Sequence, residues 1–505
     1  MEPATSNNPV LIVGAGPAGL VTAIELARHG VTPLVIERHR STSIFPRATA
    51  VSTRSMEIFR GYGIDAEVRR GGWRVFARGA VVRRLDDRQP IETPLGFADE
   101  AVSLAVSPVA ATLSPQDHLE PVLVDHLRML GGEVRFSTEL VGFEEVADGV
   151  VARLRDQATG AVTTIRVDYL VGADGHGSAV RRELGIPMEG PDDLGRYLSL
   201  LFRADLTEVL GDRRYGLYLV GEPGPGGAPT IVAPSGSDDR YVLAIPLPPG
   251  MDEAAVAAAW PLDRCIARIR EVAGRPDLDV ELLATSVFAF AAQVATRWRD
   301  GRAFLVGDAA HRMTPRGGRG MNTAIADGHD LGWKLAWVIR GLAGPGLLDT
   351  FETERGPIGR RNVAMSMVPG GGSDDGLLED LGPIDAAPGS RAPHVWMGEG
   401  GARRSTLDLF GDELSLLVAG AGSAWAPGVA AIPRGIPVGL HVIDEASVAP
   451  AFGLAPGGAV LVRPDGIVAA RWDSAPSDAM TALAMAVEAT LARDDVSAMS
   501  AGVAA

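Results

Sequence analysis

Cysteine is almost missing from this chain of 505 residues: Cys265 stands alone. One thiol cannot close a disulfide within the chain, form a CxxC redox pair or supply a thiolate metal site. Basic charge is also short, with a formal net charge of −16, which speaks against a nucleic-acid partner or an anionic membrane surface. An apolar leader is not expected, because the stretch from Met1 to Asn8 is short and polar. No long hydrophobic run stays unbroken. Leu414 to Pro433 carries no charge and has the length of a membrane span, but Gly420, Gly422, Pro427 and Gly428 interrupt it, so it reads as strand, loop and turn. Internal repeats and low-complexity tracts are absent too. With 46% hydrophobic and 22% charged residues, the expectation is a cytoplasmic globular enzyme of two or three domains.

What is present begins at Pro9. Val10-Leu11-Ile12-Val13 runs into Gly14-Ala15-Gly16-Pro17-Ala18-Gly19, after which Leu20, Val21, Ile24, Leu26 and Ala27 recur at helical spacing up to Gly30. Strand, tight glycine turn and helix start are the parts of a pyrophosphate cradle. Gly14 permits the turn, Gly16 keeps side-chain atoms away from the phosphates, and Gly19 lets helix and strand approach. The helix N-terminus adds unpaired N–H groups and the positive end of its dipole. A second strand, Val31 to Ile36, ends at Glu37, an acid placed to accept ribose hydroxyls. The motif alone leaves NAD and FAD both open.

Further on, a helix is expected from about Ser52 to Tyr62, short strands from about Val75 to Val106, and a helix capped by Ser114 with Pro115 in its first turn. Gln116 stands at that helix mouth, facing cofactor or water; His118 and His126 read as surface residues. Strands alternate from Gly132, and Tyr169-Leu170-Val171-Gly172 empties into Ala173-Asp174-Gly175 before another helix. Asp174 could cap that helix, touch a cofactor, or both. Residues 191–290 are strand-rich, an antiparallel sheet suited to an apolar substrate. A buried strand then ends in Gly307-Asp308-Ala309-Ala310-His311, and a loop, Met313 to Asn322, precedes a long amphipathic helix from Thr323 to Gly341. His311 either braces the loop or takes part in chemistry. Residues 369–392 read as a linker, and beyond about Pro393 lies a smaller α/β unit, with residues 497–505 frayed.

In this order and with these flanks, the three loops resemble the single-component flavoprotein aromatic hydroxylases, the group A FAD monooxygenases with the para-hydroxybenzoate hydroxylase fold. The tail resembles the thioredoxin-like C-terminal domain of the phenol and polyketide hydroxylase branch, here without cysteines. Ala324 and His329 depart mildly from the commonest helix pattern of that family. A Trp-x-Trp-x-Ile-Pro halogenase motif and a second dinucleotide fingerprint are both absent.

The resemblance implies an α/β fold: a Rossmann-like FAD-binding domain (1–80, 105–190 and 291–368), an inserted antiparallel-sheet substrate domain (81–104 and 191–290), and a thioredoxin-like domain (393–505). It implies FAD as cofactor and NADPH, or NADH, as transient co-substrate. Gly14, Gly16, Pro17, Ala18, Gly19, Glu37, Arg38, Arg47, Gln116, Asp174, Gly175, Gly307, Asp308, Pro315, Gly318, Gly320, Met321 and Asn322 would contact the cofactor. The loop from Pro315 to Asn322 would lie along the isoalloxazine edge, where a helix N-terminus favours negative charge on the reduced ring. Arg47, Tyr215 and Pro315 are the catalytic candidates, although Tyr215 and Tyr218 could be ordinary strand tyrosines and Arg47 a solvated arginine. The implied reaction is hydroxylation of a phenolic or polyketide-type aromatic by O2 through a flavin C4a-hydroperoxide, kept dry in an apolar pocket. Baeyer–Villiger oxidation, epoxidation and a non-catalytic flavin scaffold are the alternatives. Metal is not expected, and monomer or homodimer stays open.

Overall fold

Val10–Val13 is wholly buried apart from a sliver of Val13, and four such side chains on one strand are worth about 1.5–3 kcal/mol each relative to exposure. A strand buried on both faces belongs in the middle of a parallel sheet covered by helices. That is where the computed structural model puts it. It describes residues 4–5, 8–72, 76–95, 100–211, 214–221, 228–368, 381–398, 403–420, 424–433, 435–443 and 448–493.

A six-stranded sheet runs in the order Arg299–Asp300, Ala303–Leu305, Tyr169–Gly172, Val10–Val13, Pro33–Ile36, Glu133–Arg135. All pairs are parallel except that of the Arg299–Asp300 edge. Its register places Gly172 beside both Val13 and Leu305, and Val13 beside Ile36. The carboxyl ends of four strands are therefore level, and the chain leaves each of them into a loop on one rim. Helix Pro17–Arg28 packs along helix Arg319–Ile339 at glycines. A Cβ on Gly328 would fall 2.5 Å from the Ala18 carbonyl oxygen.

The second unit is a seven-stranded sheet, in the order 281–289, 196–203, 237–246, 230–235, 215–220, 76–82, 91–94. One face carries Leu198, Leu200, Phe202, Tyr218, Val220, Val232, Tyr241 and Leu243 and packs against helices 253–259 and 262–273. On the other face Leu217, Leu219, Ile231, Ala233 and Val242 are only half-buried. That face looks toward the nucleotide-binding unit, because Arg240 on it donates to Asp117 Oδ2 at 2.5 Å and to the Ile44 carbonyl.

The C-terminal unit has four strands in the order 438–443, 414–419, 459–462, 468–472, the first pair parallel and the rest antiparallel. With helices 426–431 and 479–491 this is the thioredoxin-like arrangement. Leu414, Leu416, Trp425, Leu483 and Val487 belong to the same hydrophobic cluster as Val10–Val13, so this unit is fused to the first through one core. Arg391 forms a buried pair with Glu57, and Arg463 reaches Glu354 at 2.7 and 2.8 Å. Among the described residues no helix is long and apolar enough to cross a membrane.

Several boundaries differ from the sequence reading. Strand Phe76–Val82 lies wholly in the seven-stranded sheet, so an edge at residue 80 cuts through it. Glu100–Val106 is a helix rather than strand, and its Ser103 accepts from Thr53 Oγ1 at 3.1 Å, on the nucleotide side. The helix at 116 is preceded by Pro115 as cap residue, not Ser114. The long helix after the third glycine-rich loop begins at Arg319, not Thr323, taking the end of that loop into its first turn. Of the expected linker, residues 369–380 lie outside the described residues, as does the tail from 494. Residues 381–392 are not a loose tether, since Ala386 and Ala392 are fully buried in the C-terminal core.

Candidate flavin site

Three loops leave the level strand ends and touch one another. The first packs on the second at Gly14, which has φ +110°; a Cβ there would stand 2.7 Å from the Ala173 carbonyl carbon and 3.1 Å from Asp174 Cα. The third packs on the first at Gly307, where a Cβ would meet Ala18 Cβ at 3.0 Å and Ala324 Cβ at 3.2 Å. Glycine is required at both, for backbone conformation and for space.

Other glycines leave room for a ligand. A Cβ on Gly16 or Gly175 would meet no protein atom within 4 Å. Helices 17–28 and 319–339 both start at a glycine cap, Gly16 and Gly318, with no side-chain cap and no acid in the first turn. Their N–H groups and dipoles are left for an external anion or acceptor. Pro17, Ala18 and Gly19 form the first turn of one; Gly320 and Met321 follow Arg319 in the first turn of the other. At the next strand end, Glu37 accepts from Ala15 N–H at 3.1 Å and His39 N–H at 2.9 Å, which fixes its carboxylate beside the glycine turn. These donors, this acid and this open cradle fit the phosphates, ribose and ring of FAD.

Around the rim, Asp308 is exposed, and so are Arg38, Arg47 and Pro315. Loss of water lowers the His176 imidazole below its ordinary pKa; Arg312, Arg47 and Arg38 add to this and Asp308 opposes it. These five charges therefore share one neighbourhood. Gln116 donates to Glu120 Oε1 at 2.6 Å, and Ser43 N–H donates to Glu120 Oε2 at 2.7 Å. Burial pushes the Glu120 carboxyl up, with Glu37 adding repulsion against the pull of Gln116, Ser43 and Arg47. Glu120 thus ties the Gln116 helix to the loop that carries Arg47.

Two expected ligands make hydrogen bonds inside the protein, Asp174 through one oxygen and Asn322 through its whole amide. Asp174 Oδ2 accepts from Ala179 and Val180 N–H at 2.6 and 3.1 Å, the capping role, while Oδ1 is buried with no partner. The Asn322 amide accepts from Ser52 N–H and Ser55 Oγ, each at 2.8 Å, and donates to Ala50 O at 3.0 Å and Gly318 O at 2.8 Å. Its side chain is a staple, not a free ligand. Tyr215 is not in the cleft. It is buried in the helix-covered core, edge-on to Tyr218, with its hydroxyl donating to Glu92 Oε1 at 3.0 Å. A strand bulge between Tyr215 and Leu217 turns it off the open face. Nearer the third loop is Tyr197, which feels the charge of Arg316 and packs with Phe288 and Phe290 at ring-centroid distances of 4.8–5.6 Å.

His311 braces. Its Nε2 lies 2.6 Å from Asp327 Oδ2, and both side chains are fully buried. Asp327 was not singled out from the sequence; the only hint is an acid on the apolar face of a long helix.

The comparisons with known proteins agree with this geometry. An FAD binding domain family matches residues 7–366, and an aromatic-ring hydroxylase C-terminal family matches residues 385–493. A putative polyketide hydroxylase of Streptomyces halstedii is 37% identical over 92% of this chain and 93% of its own length. Aklavinone 12-hydroxylase DnrF of Streptomyces peucetius is 37% identical over 84% of this chain and 94% of its own. A solved ternary complex of aklavinone-11 hydroxylase with FAD and aklavinone superposes with a TM-score of 0.87 at 33% identity, covering 98% of this chain and 100% of that one.

Proposed function

The chain belongs to the FAD-dependent aromatic-ring hydroxylases, and from that premise we propose that it adds a hydroxyl group to a polycyclic aromatic polyketide, using O2 and electrons from NADPH or NADH. It is a flavoprotein monooxygenase of the kind that serves secondary metabolism. The observation that carries the substrate class is the open face of the seven-stranded sheet. Val81, Leu219, Ile231, Ala244 and Ser199 stand side by side across it in register. Aliphatic and small side chains make a flat floor opposite the third loop, suited to a flat, uncharged ring system.

Bound FAD supplies the redox and oxygen-transfer chemistry. Glu37 would receive ribose hydroxyls, and the N–H groups after Gly16 the pyrophosphate. The first turn at Gly318 would oppose negative charge on the ring. Arg316 of the third loop stands near Tyr197 of the Tyr197, Phe288 and Phe290 cluster, and the aliphatic floor would exclude water from the oxygenating centre. Arg38, Arg47 and Arg312, with the neutral His176 imidazole among them, form the cationic rim where a nicotinamide nucleotide's phosphates would dock.

The test is a panel of aromatic polyketides in which NADPH oxidation is followed alongside product mass under isotopically labelled dioxygen. Substrate-stimulated oxidation with one labelled oxygen in an aromatic product supports the proposal. A labelled lactone or epoxide indicates the alternative oxygen insertions, and a flavin that NADPH cannot reduce indicates a scaffold.

A further inference from the structure

The third loop ends on a fully buried carboxylate that the reaction itself does not use. Asp327 Oδ2 receives the Gly307 N–H at 3.2 Å and the His311 Nε2 at 2.6 Å, while Oδ1 receives Arg355 Nε at 2.9 Å. Three separate elements meet there. Gly307 and His311 bracket Asp308 in the loop, Asp327 lies on the helix whose N-terminus faces the ring, and Arg355 comes from helix Thr350–Ser366. Arg355 also reaches the Thr323 carbonyl at 3.4 Å, one turn nearer that N-terminus.

Such an arrangement is costly unless it is complete. A buried carboxylate needs paired charge and filled hydrogen bonds. Here the neighbours win: burial raises the Asp327 carboxyl, but His311 and Arg355 outweigh that and hold it below the usual range. The acid is thus ionised and locked. The Gly307 N–H, at φ +60°, donates to it.

We infer that Asp327 is a positioning residue: with His311 and Arg355 it fixes the spacing between the Asp308 loop and the N-terminus of the 319–339 helix, and so sets both how tightly the flavin is held and how readily it is reduced. This rests on the reading that FAD occupies these loops. Two consequences follow. Without the carboxylate, the loop loses its side-chain anchor at Gly307 and His311, and FAD binds more weakly. Removing a negative charge near the helix N-terminus also makes that end more positive, so negative charge on the reduced ring is favoured.

The experiment compares wild type with Asp327→Asn, His311→Asn and Asp330→Asn, all titrated with FAD after the cofactor is removed, and all measured for flavin midpoint potential and thermal midpoint. Asp330 is a buried, ion-paired acid on the same helix, facing the C-terminal unit instead of the loop. Asp327→Asn is expected to raise the FAD dissociation constant at least tenfold and shift the potential positive. His311→Asn, which keeps the acid, should weaken binding less and leave the potential closer to wild type. Asp330→Asn should lower the thermal midpoint with unchanged FAD affinity and potential. Equal loss of FAD in the Asp327 and Asp330 variants would overturn the inference, since helix stability alone would then explain it. Wild-type affinity and potential in Asp327→Asn would overturn it as well. If Asp327→Asn does not fold, His311→Asn with wild-type FAD affinity overturns it, and weakened affinity at an unchanged thermal midpoint supports it. A wild-type chain that takes up no FAD fails the underlying reading instead.

Discussion

Gly14 presses on Ala173 so closely that a methyl group at Gly14 would stand 2.7 Å from the Ala173 carbonyl carbon. The first loop is thereby shaped by the second, and the cradle is one object made from two distant pieces of chain. Gly16, two residues on, faces open space. The two glycines should respond differently to the same change. Gly14→Ala combines a left-handed backbone with overpacking, at about 1–3 kcal/mol for the packing alone, so the thermal midpoint should drop and FAD should be lost. Gly16→Ala should keep the thermal midpoint of the FAD-free protein and lose only FAD affinity. Calorimetry of the stripped proteins, with flavin absorbance after reconstitution, separates the two.

Tyr215→Phe removes one hydroxyl that serves Glu92 on the exposed edge strand. The expected cost is about 0.5–1.5 kcal/mol of stability, read by denaturant unfolding, with kcat and KM unchanged. A large fall in kcat at unchanged stability would put Tyr215 back in the chemistry.

Much of this fold was legible because it is local. Val10 to Gly19 needs only a hydrophobic run and three glycines, and Ser52 and Gly63 do bound helix Thr53–Tyr62 as cap and left-handed stop. The same local logic failed where long-range contact decides. Alternation in Tyr215 to Val220 shows that the strand has two faces but not which one looks at the flavin, and the bulge reversed the answer for Tyr215. Glu100–Val106 is too short to show a helical period. The glycines at 317, 318 and 320 hid a helix start because they disfavour helix locally, while Asn322 pins that turn through Ala50, Ser52 and Ser55. Asp327 owes its role to Gly307 and Arg355, which no spacing rule connects.

Arg391 and Glu57 are both almost fully buried and joined by two hydrogen bonds, one of them 3.0 Å from Arg391 Nε to Glu57 Oε2. Arg391→Met leaves the buried Glu57 carboxylate held by Arg54, at 3.1 Å, without its second cation, and should cost up to about 3 kcal/mol. Adding Glu57→Gln should recover more than half of that loss. Urea unfolding of the two single variants and the double variant gives the coupling; additive losses would mean the pair does not join the units.

Asp330 lies among Lys334, Glu354, Arg463 and Asp465. Burial raises its carboxyl to about 6, with Glu354 and Asp465 adding repulsion and Lys334 and Arg463 opposing it. A folded pKa above the unfolded value of about 3.9 means the native state holds this proton more tightly. Its contribution is present below about pH 4 and is lost as pH rises through the folded pKa. Asp330→Asn has no such loss. The thermal midpoint of wild type minus that of the variant should therefore fall as pH rises from about 4 to about 7. A difference that grows over that range contradicts the assignment.

The most direct test of the central claim is a crystal structure of this chain grown with FAD. The account predicts one continuous cofactor density with its ribose at Glu37, its pyrophosphate at the N–H groups after Gly16, and its ring beside Pro315 and the first turn at Gly318, with Asp308 in contact. Density confined to the first loop, with Asp308 and Pro315 untouched, would contradict it.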